Sequence, residues 1–530
     1  MSNVEKQWTI MVYMAGDNNL SEDMITGLKG MKGLRGNKDI NLIALYDSNY
    51  PRVPVKTYNF SLDFQSSSRE PKLEEFETDL FDSVKPMLSR KEFFKIKDFV
   101  PKVVEKFPAE KYALILSGHS DGILGKTLLR DENPSVVLDL KKLQDILYDS
   151  RPAGSDLIKK RFDLLGFDGC LMNMVEVGYE LKSVAKVMVG SQGNIPTSGW
   201  AYEKVLEDLV ANPKMDEKEF AVSIVKKYAD FNADYGISGR SVNISACNLD
   251  NVKTLSNRIF AFAEYLYDLL SLPTEITDKD DELTKVEKRE NLIIREHFID
   301  CVLLSHYKSQ TFMHNQAVDL LDFISNLLLQ SIKKLVEIKK LYEPDSKAKA
   351  NFNNSVVSKI LIHTENIHTL LSKIEKVVDG EKNDSPITEL TANASSSNAG
   401  EKNDTRFILA SCTTGSEYQF SKGTSIFFPW TDTALEMLYN KYAKLKFNKN
   451  KIWLKLLEKR ISLTLRGQKD KSFTVNFKKL LDLDFSTYPT LAHKEHIGKE
   501  HIGKGDLESF YLYFSQIRNY DSEFVEKKCK

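Results

Sequence analysis

Cysteine is scarce in this chain. There are five in 530 residues, at 170, 247, 301, 412 and 529, an odd number with no CxxC pair. That spacing fits neither a disulfide framework nor a zinc site. It fits a reducing compartment, or an exported protein that does without disulfides. Excess charge of one sign is missing too. Lys and Arg number 74 against 75 Asp and Glu, which leaves no electrostatic footprint for nucleic acid or an anionic membrane surface. No run approaches the roughly eighteen uninterrupted apolar residues a membrane span requires. The N-terminus, MSNVEKQWTIMVYMAGDNN, has no basic region followed by a long apolar core, and Gly16, Asp17 and Asn18 break its apolar run. It reads as a first strand rather than a signal peptide. These absences point to a soluble, cytoplasmic chain acting on neither nucleic acid nor membrane, with export by another route and the oligomeric state left open.

What is present is an ordinary globular composition, 42% hydrophobic, at a length that buries a substantial core without staples. Strand-like apolar runs at 8–14, 40–47, 112–119, 162–170, 184–192 and 238–246 alternate with helix-like segments at 20–34, 91–107, 140–150 and 174–182. The 53–60 segment alternates and reads as part of a surface hairpin. Pro101 is expected to interrupt the 91–107 helix. This rhythm predicts an α/β fold with a mostly parallel sheet buried on both faces.

Past residue 248 the pattern changes. Broad apolar faces at helical spacing cover 251–270 and 315–338, around a charge-dense stretch at 277–290 that reads as exposed loop or helix. The small, polar stretch 387–405 reads as a loop. GTSIFFPW at 423–430 brings strand character back. The expected organisation is a core over 7–250, a helical excursion over 251–405, a return to the sheet over 406–460, and a C-terminal extension, 461–530, of unassigned role. That extension repeats EHIGK at 495–499 and 500–504 and holds His493, His496 and His501. It reads as a solvated, duplicated loop before it reads as a metal site.

Two segments carry the chemistry. LILSGHSDG (114–122) and FDLLGFDGCLMN (162–173) each begin as a strand and stop at a glycine-containing turn with a reactive side chain, His119 and Cys170. Ligands of parallel sheets bind beyond the carboxyl ends of the strands, so the two residues can meet on one rim. A thiol and an imidazole are the minimum equipment for thiol-based nucleophilic catalysis. Cys170 follows Gly169 and precedes a helix, whose N-terminus is expected to favour the thiolate. Cys247, Cys301 and Cys412 read as core residues and Cys529 as exposed near the terminus. The other histidines lie in helical or tail segments.

SGHSDG and FDGCLMNMVEVGYEL resemble the histidine and cysteine motifs of the clostripain family of cysteine peptidases, which shares the caspase-like fold with caspases, gingipains, legumains and separases. WTIMVYMAGDNNL, GSQGNIPTSGWAYEKVL, NQAVDLLDFISNL and GTSIFFPW resemble further family segments in the right order, over residues 7–460. The resemblance implies a cysteine endopeptidase with protein or peptide substrates and a His119–Cys170 dyad, Cys170 forming the acyl-enzyme. It implies an oxyanion hole from the amides of Gly118 and Cys170 or their neighbours. It also implies cleavage after Arg or Lys, with Asp168 as the acid of the S1 pocket. Two positions depart from the family pattern. Ser120 replaces the glycine common after the histidine, with Asp121 next. Ser198, in the substrate-binding segment, replaces an acid, which makes the pocket less acidic. Relatives often cut themselves between the two motifs; Arg130 is the best-placed site here, with Lys126, Arg151, Lys159 and Lys160 also available. Some relatives need calcium, to which Asp17, Asp47 and Asp121 are possible contributors, although no cofactor is required by the dyad itself. The other reading is a caspase-like scaffold or regulatory protein with weak or partner-dependent catalysis.

Overall fold

The computed structural model describes residues 6–50, 53–62, 70–80, 94–124, 128–132, 135–136, 138–152, 160–233, 241–341, 347–380 and 406–469. The loop at 387–405, Lys126, Lys159, Cys529 and the histidine-bearing tail lie outside them. In chain order the strands are β1 (Lys6–Gly16), β2 (Ile40–Ser48), β3 (Lys56–Asn59), β4 (Ala109–Ser117), β5 (Asp131–Glu132), β6 (Ser135–Val136), β7 (Phe162–Asp168), β8 (Ala185–Gly190), β9 (Val242–Asn248), β10 (Thr311–Phe312), β11 (Ala317–Asp319), β12 (Ile408–Thr414) and β13 (Ser425–Phe427).

Eight strands form the central sheet, in the order β12-β9-β8-β7-β4-β1-β2-β3. The run β2-β1-β4-β7-β8 is parallel. Antiparallel neighbours close both edges: β3 on one side, β9 and β12 on the other. Both faces are covered, and the alternation along β1 shows why the sheet is so apolar. Met11, Tyr13 and Ala15 enter one core with the helices Phe94–Lys106, Leu140–Asp149, Val175–Leu181 and Val252–Leu270. Trp8, Ile10, Val12 and Met14 enter the other with Ser21–Met31 and Glu217–Asn232. Alternate residues of a strand point to opposite faces, so a strand buried on both faces has no polar side.

The mostly parallel α/β sheet flanked by helices is as expected; the course of the chain at Pro101, the strand that returns to the sheet and the end of the last helix are not. The helix Phe94–Lys106 runs through Pro101, which lies exposed while Ile96, Phe99, Val100 and Val103 bury the opposite stripe. The packed face outweighs the one ladder bond that proline removes. The charge-dense stretch is helical from Glu282, the start of a helix that reaches Lys308. The return to the central sheet is made by β12 and not by GTSIFFPW, whose strand β13 pairs instead with β11 in a separate three-stranded sheet. The helices Val252–Leu270, Glu282–Lys308, Leu320–Leu341 and Lys347–Asp379 lie in the excursion together with β10 and β11, and the last helix, Ile452–Lys469, runs past the expected boundary at 460. Among the described residues no helix is long and apolar enough to cross a membrane.

Candidate active site

The register of two neighbouring strands builds the site. Ser117, the last residue of β4, pairs with Asp168, the last residue of β7. His119 and Cys170 each stand two residues beyond that pair. The two turns are laced together. The Gly118 amide donates to the Asp168 carbonyl at 3.1 Å, and the Ser120 hydroxyl donates to the Cys170 carbonyl at 2.6 Å. Leu171 adopts φ +63° and is held there by its amide, which donates to the Gly193 carbonyl at 3.0 Å. Gly169 is where the turns press closest: a Cβ on it would lie 2.4 Å from Ser120 Oγ and 2.7 Å from the Gly118 carbonyl oxygen.

His119 and Cys170 line one cavity of about 90 Å³ with Asp168, Ser198, Gly199 and Tyr202, and with Met14, Leu20 and Met24 as an apolar wall. A larger cavity of about 620 Å³, lined by His306, Tyr307 and Trp430, holds none of the expected site residues. Asp168 is 4% exposed. Its Oδ2 accepts from the hydroxyls of Ser117 and Tyr202, both at 2.9 Å. Burial pushes its carboxyl up to about 6 against these donors. Gly199, at φ +64°, lets the chain pass directly over this carboxylate; a Cβ there would sit 2.7 Å from Oδ2. Ser198 is exposed at the cavity rim.

Burial also pushes the Cys170 thiol up; the Ile195 amide, donating to Sγ at 3.4 Å, acts the other way, and the Asp168 charge adds to the rise. The expectation that a helix N-terminus lowers this thiol is therefore corrected. The helix begins only at Val175 and runs seven residues, and a helix terminus acts within about one turn. The imidazole of His119 sits at 2.7 Å, through Nε2, from Asn19 Oδ1.

The remaining predicted residues are placed as follows. The Gly118 amide is engaged by Asp168, as above. Among the described residues no hydrogen bond falls on the amides of Cys170 and Ser120. Arg130 is partly exposed, its carbonyl accepting from Asn18 Nδ2 at 2.9 Å. The preceding residue, Leu129, donates its amide to the His119 carbonyl at 2.7 Å. Asp17, Asp47 and Asp121 are buried. Among the described residues no three His, Cys, Asp or Glu side chains cluster closely enough to hold a metal ion. Cys247 and Cys301 are buried, and Cys412 is partly exposed on the edge strand β12. Cys301 Sγ lies 3.7 Å from His297 Nε2, but both are fully buried, so no substrate reaches this second thiol–imidazole pair.

A profile described as the clostripain family matches residues 12–459. The chain belongs to the clostripain family. Clostripain of Hathewaya histolytica is 29% identical over 230 residues, covering 39% of this chain and 43% of that protein, so the chain matches less than half the length of that curated relative. Two solved structures are similar to it at greater distance. An inactive zymogen C11 protease from Parabacteroides distasonis shares 16% identity at a TM-score of 0.49, over 85% of this chain and 99% of that one. A secreted C11 cysteine protease from Bacteroides thetaiotaomicron, in complex with an irreversible peptide inhibitor, shares 16% identity at a TM-score of 0.44, over 84% and 98%.

Several residues of this clostripain-family site escaped sequence reasoning. Asn19, from the turn after β1, and Ile195 and Tyr202, both from the 190–206 segment, contact His119, Cys170 and Asp168, and only tertiary contact identifies them. Tyr418, from the loop after β12, packs its ring on Gly193, whose Cβ would lie 2.4 Å from Tyr418 Cζ, and accepts the Asn194 amide at 3.2 Å. Ser120 carried a signal as a departure from the family glycine, yet its hydroxyl bond to the cysteine turn was not legible.

Proposed function

We propose that this chain is a cysteine endopeptidase that cleaves after Arg or Lys through an acyl-enzyme on Cys170. One observation carries the reading: a thiol, an imidazole and a buried carboxylate line the same small cavity, whose other wall is apolar. An apolar wall suits the methylene stem of a basic side chain, and Asp168 suits its cation. A cation next to Asp168 offsets the burial that raises its pKa.

The raised thiol makes a neutral Cys170 the resting form near neutral pH. His119 then acts as the base in the step itself, taking the Sγ proton as sulfur attacks the scissile carbonyl carbon. The carbonyl π electrons move to oxygen. We assign the Cys170 amide as one oxyanion donor; since the Gly118 amide is engaged, the Ser120 amide is the second. The imidazolium returns its proton to the leaving amine as the C–N bond breaks, leaving a thioester. Water, deprotonated by His119, then cleaves the thioester and restores the thiol.

Self-cleavage after Arg130 belongs to the same reading. With the Arg130 carbonyl held by Asn18 and the Leu129 amide held by the His119 carbonyl, this segment has to be released from both contacts before it is cut.

The test compares wild type with Cys170→Ala on Arg-, Lys- and Asp-linked fluorogenic peptides, with calcium and with a chelator, while chain integrity is followed on a denaturing gel. Turnover after Arg or Lys that vanishes in the variant supports the peptidase. Wild type added to the intact variant should cut it near Arg130. Absence of thiol-dependent turnover on every peptide sinks the reading, and turnover abolished by the chelator sinks the metal-free version of it.

A further inference from the structure

We propose that Ser120 is a positioning residue for the nucleophile: its hydroxyl holds the peptide between Cys170 and Leu171 in a strained turn that the chain would otherwise leave. The catalytic consequence rests on the peptidase reading, and the structural basis does not. Leu171 sits at φ +63°, a left-handed conformation in which the Cβ of any residue but glycine crowds the following carbonyl. Such strain persists only where the surroundings over-determine it. Three contacts do so here. The Cys170 carbonyl accepts from Ser120 Oγ at 2.6 Å. The Leu171 amide, at the other end of the same peptide, donates to the Gly193 carbonyl at 3.0 Å. The Leu171 carbonyl oxygen lies against Gly122, where a Cβ would be 2.6 Å from it.

Gly193 and Gly122 act through backbone, and Ser120 acts through a side chain. Gly193 is fixed from its far side, its amide donating to Asn243 Oδ1 at 3.1 Å. The Ser120 hydroxyl is buried and packs where residue 169 has no side chain. It belongs to the loop that carries His119 and reaches the residue that carries the thiol. It therefore spans the dyad by a route separate from the two reacting groups. The glycine expected at this place from the family pattern has no hydroxyl for the task. A relaxed turn would rotate the peptide that follows Cys170 and carry Sγ off its contact with the Ile195 amide, now 3.4 Å away. Displacing a nucleophile by about 1 Å can cost as much as about a hundredfold in rate.

The experiment uses the full chain and two readouts. In the active enzyme, Ser120→Ala should lower kcat roughly tenfold, with KM changed less than about twofold. Glycine adopts the left-handed conformation without strain. Adding Leu171→Gly to Ser120→Ala should therefore bring kcat back to within about threefold of wild type, a recovery that lost packing alone would not allow. In the Cys170→Ala chain, which cannot cleave itself, hydrogen exchange follows the turn without catalysis. The amide of residue 171 should exchange slowly there, about tenfold faster once Ser120→Ala is added, and slowly again with Leu171→Gly as well. A double variant that fails to recover kcat, or a residue 171 amide that exchanges alike with and without the Ser120 hydroxyl, overturns the proposal. Should Ser120→Ala not fold, a double variant that folds supports it and one that does not fold overturns it. If wild type shows no thiol-dependent turnover, the peptidase reading fails, and exchange alone then decides whether Ser120 holds the turn.

Discussion

A methyl group at residue 169 has nowhere to go. The flexible Ser120 hydroxyl could swing away from it, but the Gly118 carbonyl is backbone and cannot. Gly169→Ala should therefore force the two turns apart, lowering stability by about 1–3 kcal/mol and thiol-dependent turnover at least tenfold. A urea titration and a rate assay on the same preparation check this, and normal turnover would show that the turns yield at little cost. Asp168 sets a second expectation. Its carboxyl titrates at about 6, so it is neutral below that pH and a charge above it. Binding of a basic side chain should weaken as pH falls through about 6, raising KM. An uncharged norleucine substrate should lack this limb while keeping any limb due to His119. Asp168→Asn should cost the basic substrates about 2 kcal/mol or more, roughly 30-fold in kcat/KM, and spare norleucine. Equal losses on both substrates would remove Asp168 from substrate selection.

At the level of elements, the short helix after the cysteine turn is anchored by an acid. Glu176 is fully buried and accepts on Oε1 from the Phe427 amide in β13 and from the Tyr442 hydroxyl, both at 2.9 Å. Burial raises its carboxyl from an ordinary 4.5 to about 7, the three hydrogen bonds to it acting in the other direction. A raised acid holds a proton in the folded chain that the unfolded chain releases, so its contribution to stability falls as pH rises from about 4.5 to 7 and is flat above. Glutamine keeps the accepting oxygen and cannot ionise. Glu176→Gln should therefore lose less stability than wild type between pH 5 and 8, and should be at least as stable at pH 8. Urea midpoints at both pH values test this; parallel slopes would mean that Glu176 is not the titrating group.

Across the whole molecule, the loop after β8 is where sheet, excursion and return meet. This loop supplies the Ile195 amide to the thiol. Its Gln192 donates to Asp319 at 2.9 Å and accepts the Gly423 amide at 3.0 Å, while Asp319 also accepts the amides of Lys422 at 2.6 Å and Asp322 at 3.0 Å. One buried carboxyl, raised by burial to about 7, thus ties the helical excursion to the active-site wall. Asp319→Ala strands buried donors, each costing about 1–3 kcal/mol, and should lower both stability and kcat. Asp319→Asn retains an accepting oxygen and should be milder in both. Denaturant midpoints with kcat beside them give the check, and an alanine variant of full activity would separate the excursion from the site.

Periodicity alone identified the buried parallel strands, because a strand covered on both faces has no polar alternation to hide it. The ends of two such strands named His119 and Cys170, and the motif match supplied Asp168. What sequence could not supply was anything set by residues far apart. Trp8 to Met14 reads as a strand from its own composition, but that the turn after it brings Asn19 to His119, 100 residues on, depends on which strand lies beside it. The same holds for Pro101, where a local rule yielded to a packed face, and for β13, whose apolar letters said strand without saying which sheet. The thiol is the clearest case. A nearby helix N-terminus promised a lowered pKa, whereas the folded chain delivers a raised one, since desolvation depends on everything that surrounds Cys170 and a helix terminus acts only on its first turn. Residue type and short-range spacing fix which chemistry is available; strand order and burial decide which groups meet and in what state of charge.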